Sequence, residues 1–238
     1  MWARMPDSKK LMLSALGHRR VRRGNLEDAQ TMRLVLLDAA YHLFREGGLE
    51  AVTIRGVALR AQVAVMTPYR YFKNKADLLA GLWESVVGEL IAQQKLAVEQ
   101  CSTPRDRLKA NIEAYLSFWE THPEHYQLVY MPKLNRAGEI RTAVVGTPVQ
   151  REIWAFSNRL TLDFAKSIGG DPGKVETASQ LRHFLVLGFL HISLVNQRPT
   201  EQTRQLRPVV VEQAIETCAR YLLGGTPATS PGRKSRRP

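Results

Sequence analysis

Residues 62–75 read QVAVMTPYRYFKNK and gather aromatic and basic side chains into one short stretch. Tyrosine hydroxyls and lysine or arginine cations donate hydrogen bonds to phosphate oxygens, and an arginine fork matches the O6 and N7 acceptors of guanine. If Tyr69, Arg70 and Tyr71 are exposed together, they suit contact with a DNA duplex. The alternative is an aromatic-rich subdomain that packs on another part of the protein.

Pro68 lies inside this stretch and sets the position of the helix that would carry it. If a helix begins near Val65 or Met66, Pro68 falls in its first turn, where amide groups have no intrahelical partner. The pattern predicts a helix about two turns long, with Val63, Pro68 and Phe72 facing inward. The outward-facing residues would be Val65, Thr67, Tyr69, Arg70 and Tyr71.

Two more helices are predicted upstream. Asn25 with Asp28 resembles a capping box, and apolar residues then recur every three or four positions, at Leu34, Leu37, Ala40, Tyr41 and Phe44. Gly47 and Gly48 end that helix. Thr53 can cap a short second helix whose inward residues are Ile54, Val57 and Ala58. Three short helices with a tight turn near Gln62 form a helix-turn-helix.

Residues 30–80 resemble the DNA-binding domain of the TetR/AcrR family of bacterial transcriptional regulators, over about a fifth of the chain. The resemblance implies that Thr53 and Arg55 approach the DNA backbone from the second helix. Three side chains of the third helix would contact phosphates, namely Thr67, Tyr69 and Tyr71. Lys75 would bind another phosphate, and Lys73 extends the cationic surface.

The same resemblance places Val65, Met66 and Arg70 where members of the family meet base edges, and Arg70 is the candidate reader of guanine. Two positions depart from the family pattern. Gln62 stands where glycine is usual in the turn, so a residue with a side chain must make that turn. Ala64 stands where serine is common, so a cap or phosphate contact is lost.

The rest of the chain reads as further helices. Asn74 with Asp77 begins a long helix, and Thr103 followed by Pro104 begins another. A short helix is expected to run to Met131, and longer ones are expected at about 148–168, 174–196 and 201–223. No segment shows convincing strand alternation, so the fold class is all-α. The predicted domains are a helix-turn-helix domain at 25–80 and a helical ligand-binding and dimerisation domain at 81–223, between a disordered basic arm at 1–24 and a disordered basic tail at 224–238.

Residues 174–223 supply two long helices with broad apolar faces. Pairing with a second copy would bury both in a four-helix interface, and the resemblance implies the same homodimer. The alternative is that both helices complete the core of a monomer.

Aromatic residues are frequent in the C-terminal part of the chain, and most would pack in its core. A subset is the candidate lining of a small-molecule pocket: Trp119, Tyr126, Trp154, His183 and Phe184. His183 and His191 lie two turns apart and could orient a polar group of the ligand. His122, Glu124 and His125 have a spacing that could chelate a metal, but too few ligands are close in sequence, and no metal or cofactor is predicted.

The chain has a formal net charge of +12 and a pI near 10.0, with basic residues in excess at both ends and acidic ones in excess between 81 and 130. That asymmetry favours a polyanionic partner. No segment is predicted to span a membrane or to act as a secretion signal, so the expected location is the cytoplasm. Cys101 and Cys218 match no disulfide or zinc pattern.

These features together predict a dimeric regulator that binds double-stranded DNA at a palindromic operator and is released by a small apolar ligand, most often as a repressor in this family. No catalytic signature is present, neither a nucleophile elbow nor a phosphate-cradling loop, and no enzyme activity is predicted. Two alternatives stay open: a DNA-binding regulator controlled by a protein partner, and a helical small-molecule carrier or enzyme.

Overall fold

The computed structural model describes residues 26–130, 146–195 and 200–224, and all regular secondary structure within these ranges is helical. The chain divides into two compact units, with the boundary between Trp83 and Glu84. The predicted arm at 1–24, the predicted tail at 224–238 apart from Gly224, the cap at Asn25 and the helix end at Met131 lie outside the described residues. The all-α fold class is confirmed.

The first unit begins with α1, Leu26–Ala51, whose backbone leaves helical geometry at Gly47 and Gly48 as predicted. Gly48 has a φ of 69°, a left-handed conformation that a glycine adopts without steric cost. The short helix α2 is Ile54–Arg60, and the Thr53 hydroxyl caps it by accepting a hydrogen bond from the Gly56 N–H at 2.9 Å. The cap predicted from the sequence is therefore confirmed.

The buried face of α1 differs in one residue from the predicted face. Leu37, Ala40, Tyr41 and Phe44 are buried, but Leu34 is 53% exposed and Leu36 is fully buried instead. At 100° per residue, the buried positions form one stripe, and Leu34 lies at its edge near the start of the helix. The prediction that Leu34 faces the core was wrong.

The helix α3, Lys75–Glu99, follows the candidate DNA-binding stretch and crosses the boundary between the two units. Its start combines two bonds: the Asn74 side chain accepts from the Asp77 N–H, and the Asp77 carboxylate accepts from the Lys73 N–H, each at 2.9 Å. This arrangement is a variant of the capping box, in which Asp77 accepts from the residue before the cap rather than from the cap itself, and it fixes the path of the chain entering α3.

The second unit contains α4, α5 and α6, which are Pro104–Thr121, Pro123–Tyr130 and Pro148–Ile168, followed by α7, Val175–Val195, and α8, Glu201–Leu222. Threonine hydroxyls cap α4, α6 and α8, at Thr103, Thr147 and Thr200. The sequence placed α4 and α6 to α8 within one or two residues of these bounds. For α4, α6 and α8 the start is marked by a capping threonine.

The two last helices, α7 and α8, pack on each other and on α4. Residues four apart along α7 form its buried face, namely Ala178, Arg182, Val186, Leu190 and Leu194. Exposed ion pairs connect α4 to α8, since Glu212 accepts from Lys109 at 2.9 Å and from Arg105 at 2.7 Å. Such surface pairs contribute little each, so apolar burial is the main term that holds these helices together.

Candidate functional site

The turn after α2 is built around Gln62. The Val63 N–H bonds to the Ala58 carbonyl at 3.0 Å, and the Gln62 N–H bonds to the Leu59 carbonyl at 3.1 Å. This pair of bonds defines a Schellman motif, in which the residue after the C-cap is left-handed and is usually glycine. Gln62 has a φ of 55°, the only positive φ of a non-glycine residue in the described ranges. Gln62 therefore has the backbone strain that was predicted for a residue with a side chain at this position.

The segment that follows is not the two-turn α-helix predicted from the sequence. A 3₁₀ turn at Pro68–Arg70 is its only regular element in the structure. The Thr67 N–H bonds to the Ala64 carbonyl at 2.8 Å, and the Arg70 N–H bonds to the Thr67 carbonyl at 3.1 Å. Pro68 explains the difference: it has no N–H to offer the Ala64 carbonyl four residues back, so that carbonyl accepts from Thr67 instead.

Two side chains anchor this turn to the first unit. Pro68 is buried and Phe72 is 1% exposed, as predicted, and Val63 is half-buried. The Arg33 guanidinium of α1 lies 5.2 Å from the centroid of the Phe72 ring, a cation–π contact that adds to the burial. Because Phe72 is buried and contacts Arg33, the residues just before it have a defined direction.

The opposite face of the turn is open to solvent. Exposure reaches 50% for Val65, 68% for Met66 and 49% for Tyr69, and Arg70 is exposed as well. Thr67 and Tyr71 are half-buried. The structure therefore brings six of the predicted DNA-binding residues together on one turn, with their side chains accessible to a large partner.

Several polar groups on and beside this face have no competing contact. Within the part of the chain that the structure describes, the side chains of Arg55, Arg70 and Lys73 form no hydrogen bond or ion pair, nor do the hydroxyls of Tyr69 and Tyr71. Phosphates and base edges can therefore bind these groups without first displacing an internal partner. By contrast, the nearby Arg60 is already paired with Glu46 at 2.8 Å.

Two other predicted DNA-binding residues form hydrogen bonds within the protein. Lys75 is half-buried, and its ammonium donates to the Leu49 carbonyl at 2.8 Å. That bond ties the start of α3 to the end of α1. The exposed Thr53 hydroxyl uses an oxygen lone pair to cap α2, which leaves its O–H as the donor that a phosphate requires. Changes at Lys75 or Thr53 will therefore affect folding as well as any contact with DNA.

The candidate ligand residues Trp119 and Tyr126 lie in one aromatic cluster of the second unit. The Trp119 ring centroid is 5.9 Å from that of Tyr126, 5.9 Å from Tyr115 and 5.4 Å from Tyr130. Trp119 and Tyr126 are 0% and 1% exposed, and the hydroxyls of Tyr115 and Tyr130 are 2.7 Å apart. Burial raises the pKa of Tyr130 to about 12, so these hydroxyls stay neutral hydrogen-bonding groups.

Trp154 and His183 extend this cluster, and Phe184 lies at its exposed edge, with its ring 6.3 Å from that of His183. The His183 ring lies 5.7 Å from Tyr115 and 5.5 Å from Trp154, while Phe184 on α7 is 62% exposed. Burial and the charge of Arg182 lower the pKa of His183 to about 4. The Tyr126 hydroxyl lies 3.3 Å from Nδ1 of His191. The two histidines of α7 therefore each meet one of the tyrosines of the cluster.

Arg182 is a residue that the sequence analysis missed. It is 4% exposed, and its guanidinium contacts side chains of α4 and α6. A signal was present in the sequence: Arg182 occurs four residues after Ala178 and four before Val186, on the face of α7 that the apolar spacing assigns to the core. A charged residue on such a face is rarely accidental, because burying it is costly.

His125 is 1% exposed, and its ring packs 4.8 Å from His122 and 5.7 Å from Phe118. A search of the described residues finds no group of three metal-ligating side chains. None of the helices in the described ranges is long and apolar enough to cross a lipid bilayer.

The family model for bacterial regulatory proteins of the tetR family matches residues 36–82. The chain is similar to the HTH-type transcriptional activator FasR of Mycolicibacterium smegmatis, with 30% identity over 46% of this chain and 50% of that protein. It is also similar to the HTH-type transcriptional repressor KstR of the same organism, with 39% identity over 34% of this chain and 40% of that protein. The matched segments thus span about half the length of these relatives or less.

Similarity in structure extends further along the chain. The transcriptional regulator FadR of Bacillus subtilis, solved in complex with stearoyl-CoA, aligns over 81% of this chain and 98% of its own with a TM-score of 0.55. Identity across that alignment is 18%, so it establishes the shared fold.

Proposed function

We propose that this chain, whose residues 36–82 match the family model for bacterial regulatory proteins of the tetR family, is a dimeric transcriptional regulator of that family that a small molecule releases from DNA. The observation that carries the proposal is the exposed face of the Pro68–Arg70 turn. Its tyrosine hydroxyls and its guanidinium have no partner in the described chain, while Phe72 behind them is buried. A surface of this kind suits a partner rich in phosphate.

Each side chain has a proposed role on the duplex. Tyr69, Tyr71, Thr67 and Lys73 contact phosphates and set the position of the turn in the major groove. Arg70, with Val65 and Met66, meets base edges, and its fork would pair with guanine. Arg55 and Thr53 bind the backbone from α2, and Lys75 adds a phosphate contact from the start of α3.

The dimer is proposed from the exposed face of α7. Leu181, Phe184 and Ile192 are 37%, 62% and 69% exposed and lie at spacings of three and eight, which places them in one stripe along the helix. Gly188 lies on the same stripe, and no atom lies within 4 Å of where its Cβ would be. Leu206 and Val209 of α8 are also exposed. A stripe of large apolar side chains in water favours burial against a second copy.

Two copies joined this way would present two turns to one face of DNA. In such dimers the half-sites lie about 34 Å apart, one helical turn, and the operator is roughly palindromic. A ligand that binds the second unit releases the operator if it prefers a dimer with poorly spaced DNA-binding domains by a few kcal/mol. The stearoyl-CoA bound to the B. subtilis regulator supports a small-molecule ligand for this chain too.

The test is recovery of DNA sites from a randomised duplex library, followed by footprinting and by the molar mass of the complex. We expect a two-fold symmetric site occupied by two chains, and we expect Phe184→Lys with Ile192→Lys to give monomers that bind it weakly. Recovery of no preferred sequence, or of a site occupied by a single chain, would refute the proposal.

A further inference from the structure

The most unusual group in the second unit is the guanidinium of Arg182. The side chain is 4% exposed, at the middle of the buried face of α7. A guanidinium stays charged at any pH that a protein tolerates. A buried charge of this kind is stable only when an opposite charge or a full set of hydrogen bonds compensates for its lost hydration.

Among the described residues, Arg182 has neither an opposite charge nor a full set of hydrogen bonds. Nη1 donates to the amide oxygen of Asn111 at 3.2 Å, and Nη2 donates to the Ser157 hydroxyl at 2.7 Å and to the Thr161 hydroxyl at 3.4 Å. These acceptors are all neutral, and no Asp or Glu of the described ranges forms an ion pair with Arg182. Nε is buried and has no hydrogen-bond partner in the described chain.

The nearest ionisable neighbours do not provide the missing negative charge. Burial lowers the pKa of Arg182, and the influence that opposes it comes from the Cys218 thiol. Burial raises the pKa of that thiol, so Cys218 is not a thiolate at neutral pH. His183, the next residue on α7, is neutral as well. The interior therefore has one fixed positive charge that the described residues do not balance.

The surroundings of this charge change from polar to aromatic along α4. Asn111, Tyr115 and Trp119 follow one another at intervals of four residues and lie on one face of that helix. Asn111 binds the guanidinium, and Tyr115 one turn later contacts His183, while Trp119 is fully buried in the aromatic cluster. A molecule that reaches Arg182 would thus find a cation at one end and aromatic rings beside it.

We propose that Arg182 is the anion-binding subsite of the ligand site, and that the ligand is an amphipathic organic acid. Its carboxylate pairs with the guanidinium through the unused Nε–H, and its apolar part packs against Tyr115 and Trp119. This inference rests on the proposed function, since it gives a chemistry to the small molecule that the regulator answers to. It differs from the expectation of a small apolar ligand by adding an anionic head group.

The experiment compares probes of one chain length on the full-length protein without DNA, by isothermal titration calorimetry. Decanoate, decyl phosphate, 1-decanol and decylamine differ only in the head group, and a series from hexanoate to hexadecanoate covers other lengths. We expect an anion to bind at least about tenfold more tightly than the alcohol, because a charge-assisted bond replaces a neutral one. A preference for decyl phosphate over decanoate would identify the head group as a phosphate monoester.

Variants then assign the preference to one residue. Arg182→Met keeps most of the volume and should reduce the preference for the anion over the alcohol to about twofold or less, while Arg182→Lys retains part of it. Arg159→Met removes the same charge from an exposed position of α6 and should leave the preference unchanged. The wild-type comparison needs no variant, so equal affinity for the acid and the alcohol refutes the inference even if Arg182→Met fails to fold.

Equal affinity of the wild-type protein for acid and alcohol, or no binding of any acid in the series, would overturn this inference. So would an Arg182→Met protein that keeps the preference, because Arg182 would then serve packing alone. Binding of the selected DNA site is measured separately. If the protein binds its operator but shows no preference for anions, only this inference is refuted. If the protein has no preferred DNA site, the proposed function is refuted.

Discussion

Replacing Gln62 by glycine should stabilise the protein, although it removes a whole side chain. Gln62 occupies the left-handed position of the Schellman motif after α2, with a φ of 55°. A residue with a Cβ pays about 1–2 kcal/mol for that conformation, and glycine pays nothing. Glycine also loses more backbone entropy on folding, and this loss offsets about 0.4–1 kcal/mol of the stabilisation. The two ranges leave a net gain of about 0–1.6 kcal/mol, and the middle of that range, about 0.5–1 kcal/mol, is the gain expected.

Thermal and urea unfolding of the full chain measure this gain. A change of 1 kcal/mol moves Tm by about 2–4 °C in a chain of this size, so Gln62→Gly should raise Tm by about 1–4 °C. Gln62→Ala is the matched control, because it also removes the exposed side chain but keeps the Cβ that causes the strain. It should stay within about 0.5 kcal/mol of the wild type. A Gln62→Gly protein no more stable than Gln62→Ala would refute the reasoning.

Three further predictions concern charge. Lys73→Ala should weaken binding to specific and nonspecific DNA alike and leave Tm unchanged. It should also reduce the slope of log K against log salt by about 0.9, and an unaltered slope would exclude a phosphate contact. Lys75→Ala should lower both DNA affinity and Tm, because it also removes the 2.8 Å bond to the Leu49 carbonyl; an unchanged Tm would show that this bond contributes nothing. His183 should make stability fall as pH drops from about 6.5 to 4, by up to about 3 kcal/mol, because the unfolded chain binds a proton that folded His183 resists. His183→Gln should flatten the curve in that window, and an identical pH profile would contradict the burial of this ring.

Much of the fold could be predicted because its boundaries are set by local chemistry. Thr53 and Thr103 cap the helices that follow them, and the Asn74 side chain accepts from the Asp77 N–H. These bonds form between residues three apart, so the sequence contains all the information that they require. The strained turn at Gln62 was predicted from the family resemblance, which has glycine at that position, and its φ of 55° bears the prediction out.

The features that sequence analysis missed depend on a missing donor or on distant residues. The two-turn recognition helix was predicted from the tolerance of proline in a first turn, but the Ala64 carbonyl lost its partner and the segment tightened into a 3₁₀ turn. Arg182 was missed because its significance comes from Asn111 and Ser157, which are 71 and 25 residues away in the chain. The exposure of Phe184 likewise follows from which face of α7 the other helices cover.

The proposed function depends above all on the exposed face of the Pro68–Arg70 turn reading DNA sequence. Parallel selections from one randomised duplex library, with the wild type, Arg70→Ala and the surface control Arg159→Ala, test it most directly. We expect Arg70→Ala to relax the preference at one or two base pairs of each half-site, at a cost of about 1–3 kcal/mol, and Arg159→Ala to select the wild-type site. An Arg70→Ala protein that selects the same site with the same stringency would contradict it.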